Sequence, residues 1–134
     1  MTVIDSSYVA ASFLTERHTS FVRASRIWTS RLIAPALLPF EFANVLWKNV
    51  RRGVLTEDQA RQRLRDFYDL GLELEAVPGP EHLETVLQQA HTCGLTIYDA
   101  AYLELALRAR AELATLDADL AAAARKAGVA VHHP

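Results

Sequence analysis

Short apolar runs alternate with longer stretches of helical spacing along this chain. Thr2 to Ile4 reads as a first strand, and from Ser6 the apolar positions Tyr8, Val9, Ala11 and Phe13 recur as in a helix. A second helical stretch contains Trp28. The segment RLIAPALLPFEFANVLWKNVRRG then offers a strand from Leu32 to Ala34, a proline-bounded turn, and a helix with Pro39 near its first turn and Gly53 past its end. TEDQARQRLRDFYDLG reads as a helix with Thr56 as cap, stopping at Gly71, and LELEAVPGP alternates like a half-buried strand before it breaks. PEHLETVLQQAHTCG and LTIYDAAYLELALRAR are two more helices, the second capped by Thr96. ELATL is a strand, DADLAAAARKAG a helix ended by Gly128, and VAVHH a last strand.

Such alternation predicts an α/β fold with a mainly parallel central sheet covered by helices on both faces. At 134 residues the expectation is a single domain spanning 1–134, long enough to bury a real core, with no repeat, low-complexity tract or linker.

A net charge of −2 rules out a global basic field, so the distribution of charge matters more than its sum. Lys48, Arg51, Arg52, Arg61, Arg63 and Arg65 crowd one region, broken by Glu57 and Asp58. They form either a solvated helix face or a contact for a phosphate backbone, with Lys48, Arg51 and Arg52 as the candidate contact residues. The single cysteine, Cys93, excludes a disulfide framework and a cysteine-rich zinc site, and reads as a small packing residue. The five histidines lack a zinc-binding helix motif. No basic segment precedes a long apolar run, and no stretch approaches the roughly 20 apolar residues of a membrane helix; the expected location is the cytoplasm.

In open parallel sheets a ligand site lies beyond the carboxyl ends of the strands, where the next helices begin. Acids fall at four such junctions. Asp5 ends the first strand and Asp117 ends ELATL, while Glu41 and Asp99 lie in the first turns of their helices. Each taken singly can be a helix cap or a partner of the helix dipole. Brought together they are something else, because two carboxylates about 4 Å apart repel by roughly 4 kcal/mol at an effective dielectric of about 20. Protons or cations must compensate. Oxygen-only donors suit a hard divalent ion, Mg²⁺ or Mn²⁺, and such ions activate water against a phosphodiester.

In order and spacing, TVIDSSYVAASFL, PFEFANVLWK, LTIYDAAYLELAL and ELATLDADLAAAARKAGV resemble the motifs of the PIN-domain family, most closely VapC-like toxins of bacterial type II toxin–antitoxin pairs. The resemblance spans nearly the whole chain. It implies a three-layer α/β/α domain and a Mg²⁺- or Mn²⁺-dependent endoribonuclease, with a cognate antitoxin, an RNA substrate, a homodimer and toxin–antitoxin hetero-oligomers. By position, Asp5, Glu41, Asp99 and Asp117 match the four family acids, with Asp5, Asp99 and Asp117 as the metal centres. Ser7 and Thr115 match the family's hydroxyl residues and could steer carboxylates or metal waters. Asn44 also fits, and at i+3 could orient Glu41; a local surface hydrogen bond is the competing reading. Asp119 is expected to be a surface acid.

Rival classes are less well served. A phosphatase with a nucleophilic strand-end Asp usually carries a second Asp where this chain has Ser7, and a receiver domain needs a placed lysine where only Lys48 and Lys126 exist. No G-x-S-x-G elbow is present. A non-catalytic binding module stays open, its acids acting as caps and Trp28, Trp47, Phe40, Phe42 and Tyr68 serving as core, dimer or antitoxin contacts.

Overall fold

The computed structural model describes residues 1–15 and 17–134. Five short strands, β1 (Thr2–Ile4), β2 (Leu32–Ala34), β3 (Glu73–Leu74), β4 (Glu112–Ala114) and β5 (Val131–His132), form one sheet in the order β3-β2-β1-β4-β5. Every pair is parallel. Thr2 and Val3 sit opposite Leu32 and Ile33 on one side of β1, and Ile4 sits opposite Ala114 on the other. β1 is β-branched throughout and wholly buried, as a central parallel strand must be.

The helices are α1 (Ser6–Phe13), α2 (Thr19–Arg23), α3 (Leu38–Arg51), α4 (Glu57–Tyr68), α5 (Pro80–Cys93), α6 (Ile97–Ala109) and α7 (Ala118–Lys126). From β1 the chain steps outward to β2 and β3, then crosses back to β4 and on to β5. Right-handed crossovers therefore put α1 to α4 on one face and α5 to α7 on the other. Packing follows that division: α1 meets α2 and α3, α3 meets α4, α5 meets α6, and α6 meets α7. The result is a three-layer α/β/α domain. Direction reverses between β1 and β4, so the crevice outside their carboxyl ends is the topological switch point of the sheet.

The core runs through Val3, Ile4, Leu113 and Leu103 to Phe42, whose ring stacks 5.1 Å from Phe67 and 5.4 Å from Phe13. Of the aromatics singled out above, Phe42 is buried and Trp28 half-buried, whereas Phe40, Trp47 and Tyr68 are exposed. Cys93 is half-buried on α5 and accepts a hydrogen bond from Gln89 at 3.1 Å. Among the described residues no helix is long and apolar enough to cross a membrane.

Two local expectations need correction. The stretch around Trp28 is not one helix: α2 ends at Arg23, Ser25 caps a separate 3-10 turn over Arg26–Thr29, and the Trp28 indole N–H donates to the Val22 carbonyl at 2.7 Å. LELEAVPGP yields only the two residues of β3, both exposed rather than half-buried. β3 is an edge strand, and edges are kept from pairing further by shortness and charge. Here Arg31 clamps the Glu73 carboxylate with two hydrogen bonds of 2.6 and 2.5 Å.

Candidate active site

Asp5 stands where β1 stops. Its backbone is extended (φ −96°, ψ 171°) and its side chain caps α1, Oδ1 accepting from the Tyr8 N–H at 3.0 Å. The cap is buried, with Asp5 only 4% exposed. Ser7 donates to the same oxygen at 2.6 Å, and Thr115 at the end of β4 donates to Oδ2 at 2.5 Å across the switch point. The hydroxyls are held in turn: Leu116 N–H donates to Ser7 Oγ at 2.9 Å and Asp117 N–H to Thr115 Oγ1 at 3.0 Å. One network thus ties the ends of β1 and β4 together. Asp117 is exposed and caps α7 by accepting from Leu120 N–H at 2.8 Å.

Two helices from opposite faces of the sheet complete the cluster. Pro39 opens α3, which places Glu41 in its first turn, half-buried. Thr96 caps α6 by accepting from Asp99 N–H at 3.1 Å, which fixes Asp99 in that helix's first turn. One turn further along α6, buried Tyr102 donates its hydroxyl to Glu41 Oε1 at 2.6 Å.

These acids also act on one another electrostatically. Burial pushes the Asp5 carboxyl up from 3.8 to about 6; Ser7, Thr115 and Tyr8 oppose the rise and Asp99 adds to it. Glu41 is also raised, first by burial and then by the charges of Asp5 and Asp99, with Tyr102 and Ser6 opposing. Asp99 is raised by burial, then by Asp117 and Asp119, with Thr96 opposing. Burial first, then the charges of Glu41, Asp5 and Asp99, drive the Tyr102 phenol above its ordinary value, so it stays a donor.

With the side chains as they stand, no three His, Cys, Asp or Glu among the described residues converge closely enough to hold an ion. The donor chemistry nevertheless fits a hard divalent cation. It consists of carboxylates in mutual repulsion, and a carboxylate oxygen that accepts one hydrogen bond keeps a further lone pair.

Asp5, Glu41, Asp99 and Asp117, with Ser7 and Thr115, therefore gather at the carboxyl end of the sheet, as their positions in the sequence suggest. Asn44 is exposed, and among the described residues it makes no hydrogen bond to Glu41; Tyr102 orients that carboxylate instead. Tyr102 was open to discovery, since it lies at i+3 from Asp99 and so on the same helix face. Asp119 is exposed as expected, yet its charge reaches Asp99. Lys48, Arg51 and Arg52 are exposed along the far half of α3, outside the cluster.

With its five-stranded parallel sheet between two helical layers, the chain belongs to the PIN-domain family: the PIN domain model matches residues 2–126. Within it, the chain is similar to Ribonuclease VapC3 of Pyrobaculum aerophilum, 34% identical over 119 residues, covering 89% of this chain and 91% of the relative. Among solved structures, PAE2754 from Pyrobaculum aerophilum matches with a TM-score of 0.73 at 24% identity, over 97% of this chain and 87% of that one. VapC20 of Mycobacterium tuberculosis, a sarcin–ricin loop cleaving toxin, matches with a TM-score of 0.70 at 15% identity, over 92% of this chain and 95% of that one. At those identities the two structures speak for the fold.

Proposed function

We propose that this protein is the toxin of a type II toxin–antitoxin pair and cleaves RNA internally as a metal-dependent endoribonuclease. The observation that carries the reading is the placement of Asp5, Glu41, Asp99 and Asp117 around the switch point, where burial and neighbouring charge raise three of the carboxyls while fixed hydroxyl and amide donors oppose the rise. Likeness to a ribonuclease over nine-tenths of the chain supports the choice of substrate.

In this reading Asp5, Asp99 and Asp117 would hold Mg²⁺, or Mn²⁺ in its place, with Glu41 assisting. A bound divalent ion supplies the positive charge that activates a water and offsets the negative charge building on the phosphodiester. Ser7 and Thr115 fix the Asp5 carboxylate from both sides, so its orientation is set before any ligand arrives. Tyr102 does the same for Glu41. Hydrolysis then needs no protein nucleophile. A cognate antitoxin, assembly as a homodimer and a cytoplasmic location belong to the same proposal and follow from the resemblance of the four motifs to VapC-like toxins.

Because Asp5 and Asp117 are both helix caps, a non-catalytic binding module is the competing reading. Cleavage separates the two. Purified protein incubated with a mixed RNA pool and Mg²⁺ or Mn²⁺ should produce discrete internal cuts, read by sequencing the new ends, and chelation should stop them. Asp99→Asn should abolish the cuts while its metal-free melting shows an intact fold; an active, folded Asp99→Asn protein would refute the assignment.

A further inference from the structure

A second feature lies at the other end of α3. Phe13, Leu14 and Thr15 of the α1 exit, Asn49 and Arg52 of α3, and Arg63 of α4 line a cavity of about 440 Å³. The charged side chains among its described lining residues are both arginines. Among the described residues neither Arg52 nor Arg63 is paired with a carboxylate, whereas neighbouring Arg61 is held by Asp58 at 3.1 Å and Glu57 at 3.4 Å. Among the described residues nothing bonds to the buried Arg63 Nε. A half-exposed guanidinium with no carboxylate partner keeps its donors for planar or tetrahedral oxyanions.

The cavity does not stand alone. Arg52 also lines an adjoining concavity of about 290 Å³ with Lys48 and Arg51. Along α3, Lys48 and Arg52 follow Glu41 by about two and about three turns, which puts all three on one stripe of the helix. The axial distance from Glu41 is about 10 Å to Lys48 and about 16 Å to Arg52. A row of cations thus leads from the acidic cluster to the Arg63 cavity.

We propose that the cavity between α1, α3 and α4 is a phosphate-binding pocket, in which Arg63 and Arg52 take a backbone phosphate of single-stranded RNA laid along α3 from the acidic cluster. Lys48 and Arg51 follow the strand between. The choice of RNA rests on the function proposed above; the affinity for a phosphate group does not.

The test compares the wild type with Arg63→Gln, Arg52→Gln, and Arg125→Gln on the distant α7 as a control. Binding of a fluorescein-labelled, mixed-sequence single-stranded RNA is followed by anisotropy in EDTA over a NaCl series. Arg63→Gln and Arg52→Gln should each weaken binding about tenfold and flatten the slope of log K against log salt by about 0.7, the share of one phosphate on a single strand. Arg125→Gln should change neither. A second arm titrates inorganic phosphate against the melting midpoint, which should rise in the wild type and not in Arg63→Gln. Arg52 is exposed at the end of its helix, so Arg52→Gln carries the test if Arg63→Gln does not fold.

A phosphate response lost in Arg63→Gln, in a protein that binds no RNA, would sustain the pocket for a free phosphate and defeat the RNA reading. RNA binding of unchanged affinity and salt slope in both variants would overturn the pocket and leave the acidic cluster's role standing. No response to either probe would overturn both.

Discussion

Asp5 caps a helix from a buried position and, in the function proposed above, would hold the metal as well. Its carboxylate caps α1, yet burial lifts its pKa from 3.8 to about 6, which means the charged form is disfavoured in the fold. The unfolded chain loses the proton near 3.8 and the folded one near 6, so this group's contribution is fully favourable below the lower value and is lost as pH rises through the upper one. The penalty at neutral pH is on the order of 3 kcal/mol. Asp5→Asn keeps one acceptor for the helix and removes that penalty. Its metal-free melting midpoint, relative to wild type, should therefore climb between about pH 4 and about pH 7; a pH-independent difference would show that Asp5 is not strained by burial. Tyr102 makes the complementary case. Tyr102→Phe deletes the only hydroxyl of α6 that meets Glu41, and it should lower Mn²⁺ affinity and cleavage by about 10- to 100-fold while leaving metal-free melting within about 1–2 kcal/mol of wild type. Equal Mn²⁺ affinity in the variant would reduce Tyr102 to packing. The acids themselves were legible in the sequence because strand ends and helix starts are local signals. Tyr102's partner was not, since a bond between residues 41 and 102 depends on which helices the fold brings side by side.

At the scale of elements, what was legible was again what is local. Thr56 forms a full capping box with Gln59, the hydroxyl accepting from Gln59 N–H at 3.1 Å while the Gln59 side chain accepts from Thr56 N–H at 2.9 Å. Thr96 and Pro39 likewise mark helix starts as read. β3 and the Trp28 stretch went differently for non-local reasons. Alternation in LELEAVPGP reports a strand's two faces, but whether either is buried depends on its place at the sheet edge. The Trp28 stretch breaks because Ser25 and the Val22 carbonyl offer bonds that compete with a continuous helix. One helix end is costly by local rules: α6 terminates at Arg110 in the left-handed region, φ 52°, where glycine is usual. Arg110→Gly should stabilise the protein by about 0.5–1 kcal/mol in chemical denaturation. A loss of stability would mean that the Arg110 side chain makes up for its backbone.

For the whole molecule, the order β3-β2-β1-β4-β5 decides where the acids fall, because it puts the ends of β1 and β4 side by side and lets α3 and α6 meet over them. Strand order follows from pairing between segments more than a hundred residues apart, such as Thr2 with Glu112, and periodicity alone cannot supply it. The motif order carried that information through family resemblance. The cluster so assembled is a set of mutually repelling acids that a hard cation should relieve, and that claim is tested most directly by melting the wild type, Asp5→Asn and Asp99→Asn against Mn²⁺, each relative to its own metal-free midpoint. The wild-type midpoint should rise with metal concentration, on the order of 10 °C at about a hundred times Kd, and both variants should lose most of the rise. A wild type that shows no rise at millimolar Mn²⁺, or variants that rise equally, would contradict the metal centre and return these acids to the role of helix caps.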